Sequence, residues 1–178
     1  TMKVIKNYLY NVVYQVLLLI LPLVTVPYIS RVLGPDLVGV NEYTNSWMTF
    51  FLLLGQLGIS LYGNREIAYH REDKVQRSRI FWEIELLQTI TILCALSLYL
   101  VAVFLFSSTF KYFFLLQSLW IIAAGVDVSW YFMGMENFQR IVTRNLIVKL
   151  ASIACIFTLV KTHADLGIYI VILGLSNL

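Results

Sequence analysis

The chain of 178 residues is 60% hydrophobic and 15% aromatic but only 13% charged, and its mean hydropathy is +0.79. Soluble domains are about half apolar and about a quarter charged, so this composition indicates a protein embedded in lipid. The formal net charge of +3 is too small to favour nucleic acid as a partner. Both cysteines, Cys94 and Cys155, lie within apolar runs, where we expect small buried hydrophobes and no disulfide or metal pair.

The first apolar run predicts a membrane helix over residues 8–33. It has the roughly 20 apolar residues that a crossing needs. Two prolines inside it, Pro22 and Pro27, each remove an intrahelical hydrogen bond and are hinge candidates. Asn11 and Gln15 share one face of an ideal helix and favour a wall that lines a wet cavity. The alternative is that these polar groups hydrogen-bond neighbouring helices.

A turn over residues 33–36, which contains glycine and proline, ends this span and leads to a second one over residues 39–62. The second span also carries a polar stripe, since Asn41, Asn45 and Gln56 share one face of an ideal helix. Two striped spans favour helices that face each other or a common aqueous space, and interhelical hydrogen bonding alone is the alternative explanation.

Residues 63–79 form the most hydrophilic stretch, with five basic side chains against three acidic ones. A loop this basic is most simply a topology signal that stays on the cytoplasmic side. Arg65 is the exception in this loop, because it is a candidate for contacting a substrate.

Three further spans are predicted over residues 80–106, 112–132 and 141–160, and a sixth apolar run occupies residues 166–178. The last run has about 13 residues, which is shorter than a bilayer crossing requires. The expected fold class is therefore an all-α integral membrane bundle of six transmembrane helices, of which the sixth is truncated.

The distribution of lysine and arginine predicts that the amino terminus lies in the cytoplasm. With six alternating spans, ten of the 13 lysine and arginine residues fall in the inner segments or near the inner ends of spans, and three fall outside. An excess of positive charge on the inner side is the general rule for membrane proteins.

Ionisable residues within the spans need an explanation, because inserting each of them into the membrane costs about 2.5–3.5 kcal/mol on insertion scales. Asp127 precedes the inner end of the fourth span, and Arg144 and Lys149 lie in the fifth. An ion pair of Asp127 with either cation and a role in binding substrate or protons are equally good interpretations at this point.

Several classes of site are absent from the sequence. There is no phosphate-binding loop with a Lys-Ser/Thr pair, no zinc-protease motif, no nucleophile elbow and no cluster of cysteine and histidine. The sequence therefore predicts no enzyme, no metal site and no cofactor.

Four motifs in order resemble the polysaccharide flippases, the Wzx-type oligosaccharide–lipid transporters of the MOP superfamily. The superfamily also contains the multidrug extruders and the lipid II flippases. The motifs are residues 26–35, residues 62–68, residues 127–130 with Gly134 and Glu136, and Arg144-Asn145 with Lys149.

The resemblance implies two pseudo-symmetric lobes of six helices that work by alternating access in the bacterial cytoplasmic membrane. Residues 1–178 would be the amino-terminal lobe, cut within its sixth helix. The implied substrate is an oligosaccharide on a polyprenyl pyrophosphate, moved from the inner to the outer leaflet and driven by an ion gradient or the membrane potential. The polysaccharide polymerase machinery is a possible partner beside the lipid bilayer.

The resemblance also implies roles for the charged residues. An anionic pyrophosphate needs cations, and the candidates are Arg31, Arg65, Arg144 and Lys149. Asp127 or Glu42 are the candidates for coupling protons to transport.

Two other functions remain as alternatives to a flippase. A cation-coupled multidrug exporter of the same superfamily would need acidic residues toward the cavity, against the basic surplus within the spans. A membrane assembly partner in polysaccharide synthesis would use the basic loop over residues 65–79 to bind a protein.

Overall fold

The computed structural model of the protein describes residues 2–106 and 109–177, and the side chains of residues 2–7, 11 and 138 are not described. The predicted cavity residue Asn11 therefore lies outside the described side chains. All regular structure in the described ranges is helical, in agreement with an all-α fold. The elements in chain order are α1 (Met2–Gln56), α2 (Ile59–Tyr69), α3 (Lys74–Phe106), α4 (Lys111–Gly125), α5 (Ser129–Gly134), α6 (Phe138–Leu159), the 3₁₀ helix η1 (His163–Asp165) and α7 (Leu166–Leu175).

Helix α1 is interrupted at Gly34, which has φ 80° and ψ 163°. This conformation is accessible to glycine and costly for other residues. Pro35 follows at the first position of the next helical stretch, where its missing N–H costs nothing. The break lies in the predicted turn over residues 33–36 and divides α1 into a first arm (2–33) and a second arm (35–56). Pro22 lies inside the first arm, where the backbone keeps helical dihedral angles.

The first arm runs parallel to α6. The hydroxyl of Tyr28 donates to the carbonyl of Val160 at 2.8 Å, and the amide of Asn145 donates to the hydroxyl of Tyr14 at 3.2 Å. An early residue of the arm thus meets an early residue of α6, and a late residue meets a late one.

The second arm runs parallel to α4 and therefore opposite to the first arm. Asn41 accepts a hydrogen bond from Gln117 early in α4, and the late residues Gly55 and Gly125 both approach Ile92 of α3. Helix α4 ends near the start of α6, so α4 and α6 are antiparallel. The break at Gly34 consequently turns α1 into a helical hairpin.

Four helical stretches are long and apolar enough to cross a membrane: residues 8–69, 74–106, 111–134 and 139–159. The first has 62 residues, and at 1.5 Å per residue it is about three times longer than one crossing of a bilayer about 30 Å thick. Large apolar side chains cover the outside of the bundle, and Leu61, Leu105 and Phe106 are each more than 70% exposed. Such a surface suits contact with lipid.

The predicted spans differ from the helices mainly at the ends that the charge count predicts to be cytoplasmic. The second arm ends at Gln56, because Leu57 and Gly58 have φ values of 43° and 75°. Helix α3 begins at Lys74, within the predicted hydrophilic stretch. The fourth span consists of two helices, α4 and α5, separated by residues 126–128.

The expected burial of Cys94 and Cys155 was wrong, because both free cysteines are exposed on the surface of the bundle. An apolar neighbourhood in a membrane sequence does not distinguish a side chain that faces protein from one that faces lipid, since both surroundings are apolar.

Candidate functional site

The interruption between α4 and α5 positions Asp127 at the surface of the helix bundle. One carboxylate oxygen of Asp127 accepts hydrogen bonds from the backbone N–H and the hydroxyl of Ser129, the first residue of α5. The buried amide of Gln88 donates to the carbonyls of Ala124 and Asp127 at 2.8 Å and 3.0 Å. These bonds satisfy carbonyls that the interruption frees, which membrane surroundings otherwise penalise.

Arg144 of α6 reaches this interruption from the opposite side. Its Nη2 lies 3.9 Å from Oδ1 of Asp127 and donates to the hydroxyl of Ser129 at 3.3 Å. Of the two ion pairs considered from the sequence, the structure contains the one with Arg144. The two side chains are 47% and 44% exposed, so the pair contributes at most about 1 kcal/mol.

A cavity of about 330 Å³ connects this pair to Lys149, between the first arm, α6 and the end of α7. Asn145 and Tyr14, joined by their hydrogen bond, also line it. We call this group the polar cleft, defined by its polar lining residues: Tyr14, Asp127, Ser129, Arg144, Asn145, Lys149, Ser176 and Asn177.

A second cavity of about 240 Å³ adjoins the polar cleft and shares Leu18, Lys149 and Ser176 with it. Its remaining lining is mostly apolar and includes Pro22 of the first arm and Tyr169 of α7. The polar cleft and the adjoining cavity together extend from a polar end at the α4–α5 interruption to an apolar end between the first arm and α7.

The polar cleft has a formal charge of +1 at neutral pH, from two cations and one carboxylate. Arg144 forms an ion pair with Asp127, whereas Lys149 has no carboxylate within 4.0 Å among the residues that the structure describes. An anion is thus the ligand that this arrangement favours.

The other two cation candidates lie outside the polar cleft. Arg31 is an exposed residue near the end of the first arm, far along that arm from Tyr14. Arg65 of α2 has a side chain that is 78% exposed and lies 3.5 Å from its neighbour Glu66. The structure brings together Arg144, Lys149 and Asp127 and leaves Arg31 and Arg65 apart from them.

The polar residues predicted to form a stripe on the second arm do not line the polar cleft. Asn41 is buried, and its carbonyl oxygen accepts a hydrogen bond from Gln117, which also donates to Thr44. Asn45 is partly buried. The remaining candidates are exposed on the described chain: Gln15, Pro22, Pro27, Glu42 and Gln56.

Arg71 and Glu136 form an ion pair beyond α5, outside the membrane-spanning stretches. Arg71 donates to the carbonyl of Gly134 at 3.3 Å and to a carboxylate oxygen of Glu136 at 2.9 Å. The hydrogen bond and the charge of Arg71 lower the pKa of the Glu136 carboxyl, and the same contact raises the pKa of Arg71. This pair joins the turn before α3 to the end of α5.

Ser129, Tyr14 and Gln88 were missed as site residues by sequence reasoning. Ser129 had a recognisable signal, because an aspartate side chain often accepts a local hydrogen bond from the backbone N–H two residues further along the chain. Gln88 is a single polar residue within an apolar run, which in a membrane helix usually has a partner. Tyr14 had no signal, since its partner Asn145 lies 131 positions away.

Comparison with known proteins identifies the family of this chain. The model of a family described as polysaccharide biosynthesis protein matches residues 4–178, so the chain belongs to this family. The chain is 26% identical over 175 residues to an Escherichia coli K12 protein named "Putative O-antigen transporter". That alignment covers 97% of this chain and 42% of the relative, so the chain spans less than half of that protein's length. No solved structure matches the chain significantly.

Proposed function

We propose that the protein translocates an oligosaccharide linked to a polyprenyl pyrophosphate across the bacterial cytoplasmic membrane, for the synthesis of a surface polysaccharide. In this proposal residues 1–178 form the amino-terminal lobe of a two-lobe transporter with a cytoplasmic amino terminus. The observation that carries the proposal is the polar cleft, in which Lys149 lacks an acidic partner among the described residues and borders an apolar cavity.

The chemistry of the cleft suits each part of such a substrate. Lys149 and Arg144 offer charge-assisted hydrogen bonds to pyrophosphate oxygens, and the arginine fork can bind two of them at once. Tyr14 and Asn145 supply donors and acceptors for sugar hydroxyls. The adjoining cavity, lined by Pro22 and other apolar residues, suits the start of the isoprenoid chain.

Asp127 gives the cleft a way to respond to substrate and to protons. When pyrophosphate binds Arg144, it competes with the Asp127 carboxylate 3.9 Å away for the same guanidinium group. We assign the coupling role to Asp127 ahead of Glu42, which is exposed and lies on the second arm.

The alternative functions have weaker support. A cation-coupled drug exporter would favour a negative cleft, whereas this one carries a charge of +1. An assembly partner of the polysaccharide polymerase machinery would depend on the basic residues over 65–79, of which Arg65, Arg71 and Arg79 already have acidic partners.

The test is translocation of a labelled polyprenyl-pyrophosphate oligosaccharide between the leaflets of proteoliposomes that contain the full-length protein. We expect Arg144→Gln and Lys149→Gln each to reduce the rate about 10-fold or more, because a hydrogen bond to a charged group contributes about 1.5–3 kcal/mol.

Arg31→Gln and Arg65→Gln are matched controls, since each also removes one positive charge but lies outside the polar cleft. Equal losses in all four variants would contradict a site in the cleft. A wild-type protein that exports organic cations and moves no lipid would contradict the flippase function.

A further inference from the structure

A second basic cleft lies at the inner end of the bundle, separate from the polar cleft. It is a cavity of about 410 Å³ between the first turns of α3 and helix α5. The lining residues, which we call the α3–α5 cleft, are Lys74, Arg77, Ser78, Phe81, Val128, Tyr131 and Phe132.

Each wall of the α3–α5 cleft is one face of a helix. The α3 residues are spaced at i, i+3, i+4 and i+7, and the α5 wall begins at Val128 and continues at i+3 and i+4, which are the spacings of a single helix face. Along α3 the lining changes from Lys74 and Arg77 at the water side to Phe81 one to two turns deeper. The cleft is therefore cationic at its mouth and aromatic toward the membrane.

Contacts around the cleft hold both walls in place. A guanidinium nitrogen of Arg77 donates to the carbonyl of Arg71 at 2.6 Å, and Arg71 is fixed to Glu136. Phe81 stacks on Trp130 with ring centroids 5.5 Å apart and meets Tyr131 edge-on at 5.2 Å. A cavity bounded by paired aromatic rings is a preformed site, because its walls do not need to reorder on binding.

The acidic residues beside the cleft do not neutralise its mouth. Asp73 accepts hydrogen bonds from the backbone N–H groups of Val75 and Gln76 at 2.9 Å and 3.1 Å, and it does not line the cavity. In the described part of the chain, Lys74 and Arg77 have no carboxylate within 4.0 Å. The helix-terminal amides are thus occupied, and the two side-chain cations are the available donors.

We propose that the α3–α5 cleft binds the phosphate-bearing headgroup of a lipid from the cytoplasmic leaflet. A phosphate or pyrophosphate at the mouth contacts Lys74 and Arg77, and the first part of the lipid chain or an adjoining sugar lies against the aromatic wall. Basic pockets between helices on the cytoplasmic side are suited to anionic headgroups. The inference rests on the predicted cytoplasmic position of α2–α3 but does not require transport.

Two lipids share this chemistry, a polyprenyl pyrophosphate and an anionic phospholipid. The experiment uses the full-length protein in mixed vesicles with a photoreactive phosphatidylglycerol, and it maps crosslinks to Val128, Tyr131 and Phe132. Unlabelled polyprenyl pyrophosphate, phosphatidylglycerol and zwitterionic phosphatidylcholine then compete for labelling in separate arms.

We expect both anionic lipids to compete and phosphatidylcholine not to compete, and the better competitor identifies the lipid that occupies the cleft. Each of Lys74→Gln and Arg77→Gln should raise the competing concentration roughly 5-fold, and the double variant roughly 30-fold, as expected for two cations at a membrane surface. Lys74→Arg should retain binding.

Arg79→Gln is the matched control, because Arg79 lies on the same helix and pairs with Glu83 at 2.7 Å, away from the cleft. An equal shift in Arg79→Gln, an unchanged concentration in the double variant or equal competition by phosphatidylcholine would each overturn the proposal. Val128, Tyr131 and Phe132 line this cleft and not the polar cleft, so a failure of crosslinking is distinct from a failure of translocation through Arg144 and Lys149.

Discussion

At the scale of single residues, the position of Asp127 depends on contacts that only the folded chain provides. The residue follows α4, and its own carboxylate bonds Ser129 while its carbonyl is bonded by Gln88. Arg144 completes the group from α6. Asp127 therefore stabilises the helix interruption and also pairs with Arg144, the cation that we propose to bind substrate.

Neutralising Asp127 and Arg144 separately and together distinguishes a structural pair from a functional one. Both side chains are about half exposed, so we expect Arg144→Gln and Asp127→Asn to change the free energy of unfolding by less than about 1 kcal/mol. Translocation should nevertheless fall in both variants. Thermal unfolding in detergent and transport in proteoliposomes measure the two quantities. Restored transport in the double variant would contradict the role of Arg144 in binding an anion.

The pair of Arg71 and Glu136 gives stability a dependence on pH. Arg71 lowers the pKa of Glu136 in the folded protein, so the unfolded chain binds a proton at a higher pH than the folded one. The stabilising contribution is therefore present above the ordinary glutamate pKa and is lost as the pH falls through the lowered folded value. We expect Glu136→Gln to flatten this acid limb of the melting temperature against pH.

The double variant Arg71→Gln with Glu136→Gln is the control for this prediction. If the pair acts as a unit, the double variant loses no more of the acid limb than Glu136→Gln alone. A full acid limb in Glu136→Gln would show that other carboxylates produce it.

At the scale of elements, close glycine contacts attach α2 to α5 and so position both clefts. A Cβ atom built on Gly63 would lie 2.6 Å from the ring of Trp130, and one on Gly134 would lie 2.7 Å from Ile67 and 2.8 Å from the carbonyl of Asn64. Small residues let membrane helices approach closely, which increases their van der Waals contact.

Replacing these glycines by alanine should separate α2 from α5. We expect Gly63→Ala and Gly134→Ala each to destabilise the protein by about 1–3 kcal/mol, as overpacking usually does. Gly39→Ala is the control, because a Cβ atom there meets nothing within 4 Å. Helix propensity predicts that this control is neutral or stabilising by up to about 1 kcal/mol. Equal melting temperatures for Gly63→Ala and Gly39→Ala would contradict the packing account.

At the scale of the whole molecule, the hairpin at Gly34 places the arms of α1 on opposite courses through the bundle. Gly34 is close to His163, whose ring Nδ1 donates a hydrogen bond to the carbonyl of Leu33 at 2.6 Å. The α4–α5 interruption and the turn over residues 70–73 then lie at the other end. The charge count predicts that this other end faces the cytoplasm.

Labelling of single cysteines tests this orientation. In a background with Cys94→Ala and Cys155→Ala, we expect Asp73→Cys to react with a membrane-impermeant thiol reagent only in inside-out vesicles. Asp36→Cys should react only in intact cells, and it is the matched control because it also replaces an exposed aspartate. The reverse pattern would contradict a cytoplasmic amino terminus and, with it, the cytoplasmic position of the α3–α5 cleft.

The class of the protein and its family follow from the amino-acid sequence alone. Long apolar runs can only be satisfied as helices in lipid, because every backbone hydrogen bond must be made internally. The break at Gly34 lies in the predicted turn over residues 33–36, since glycine followed by proline ends a helix and starts the next one. Motifs of neighbouring residues were sufficient for the resemblance to the polysaccharide flippases, which the family match confirms.

Which polar residues meet depends on how the folded helices pack. The sequence periodicity grouped Asn41 with Gln56 on one helix face, yet Asn41 bonds Gln117 inside the bundle while Gln56 is exposed. Sequence reasoning also gave equal weight to Arg144 and Lys149 as partners of Asp127, and the structure pairs Asp127 with Arg144. Hydrophobicity cannot separate a protein-facing from a lipid-facing side in a membrane helix, so the rotation of each helix is set by packing and by distant hydrogen bonds.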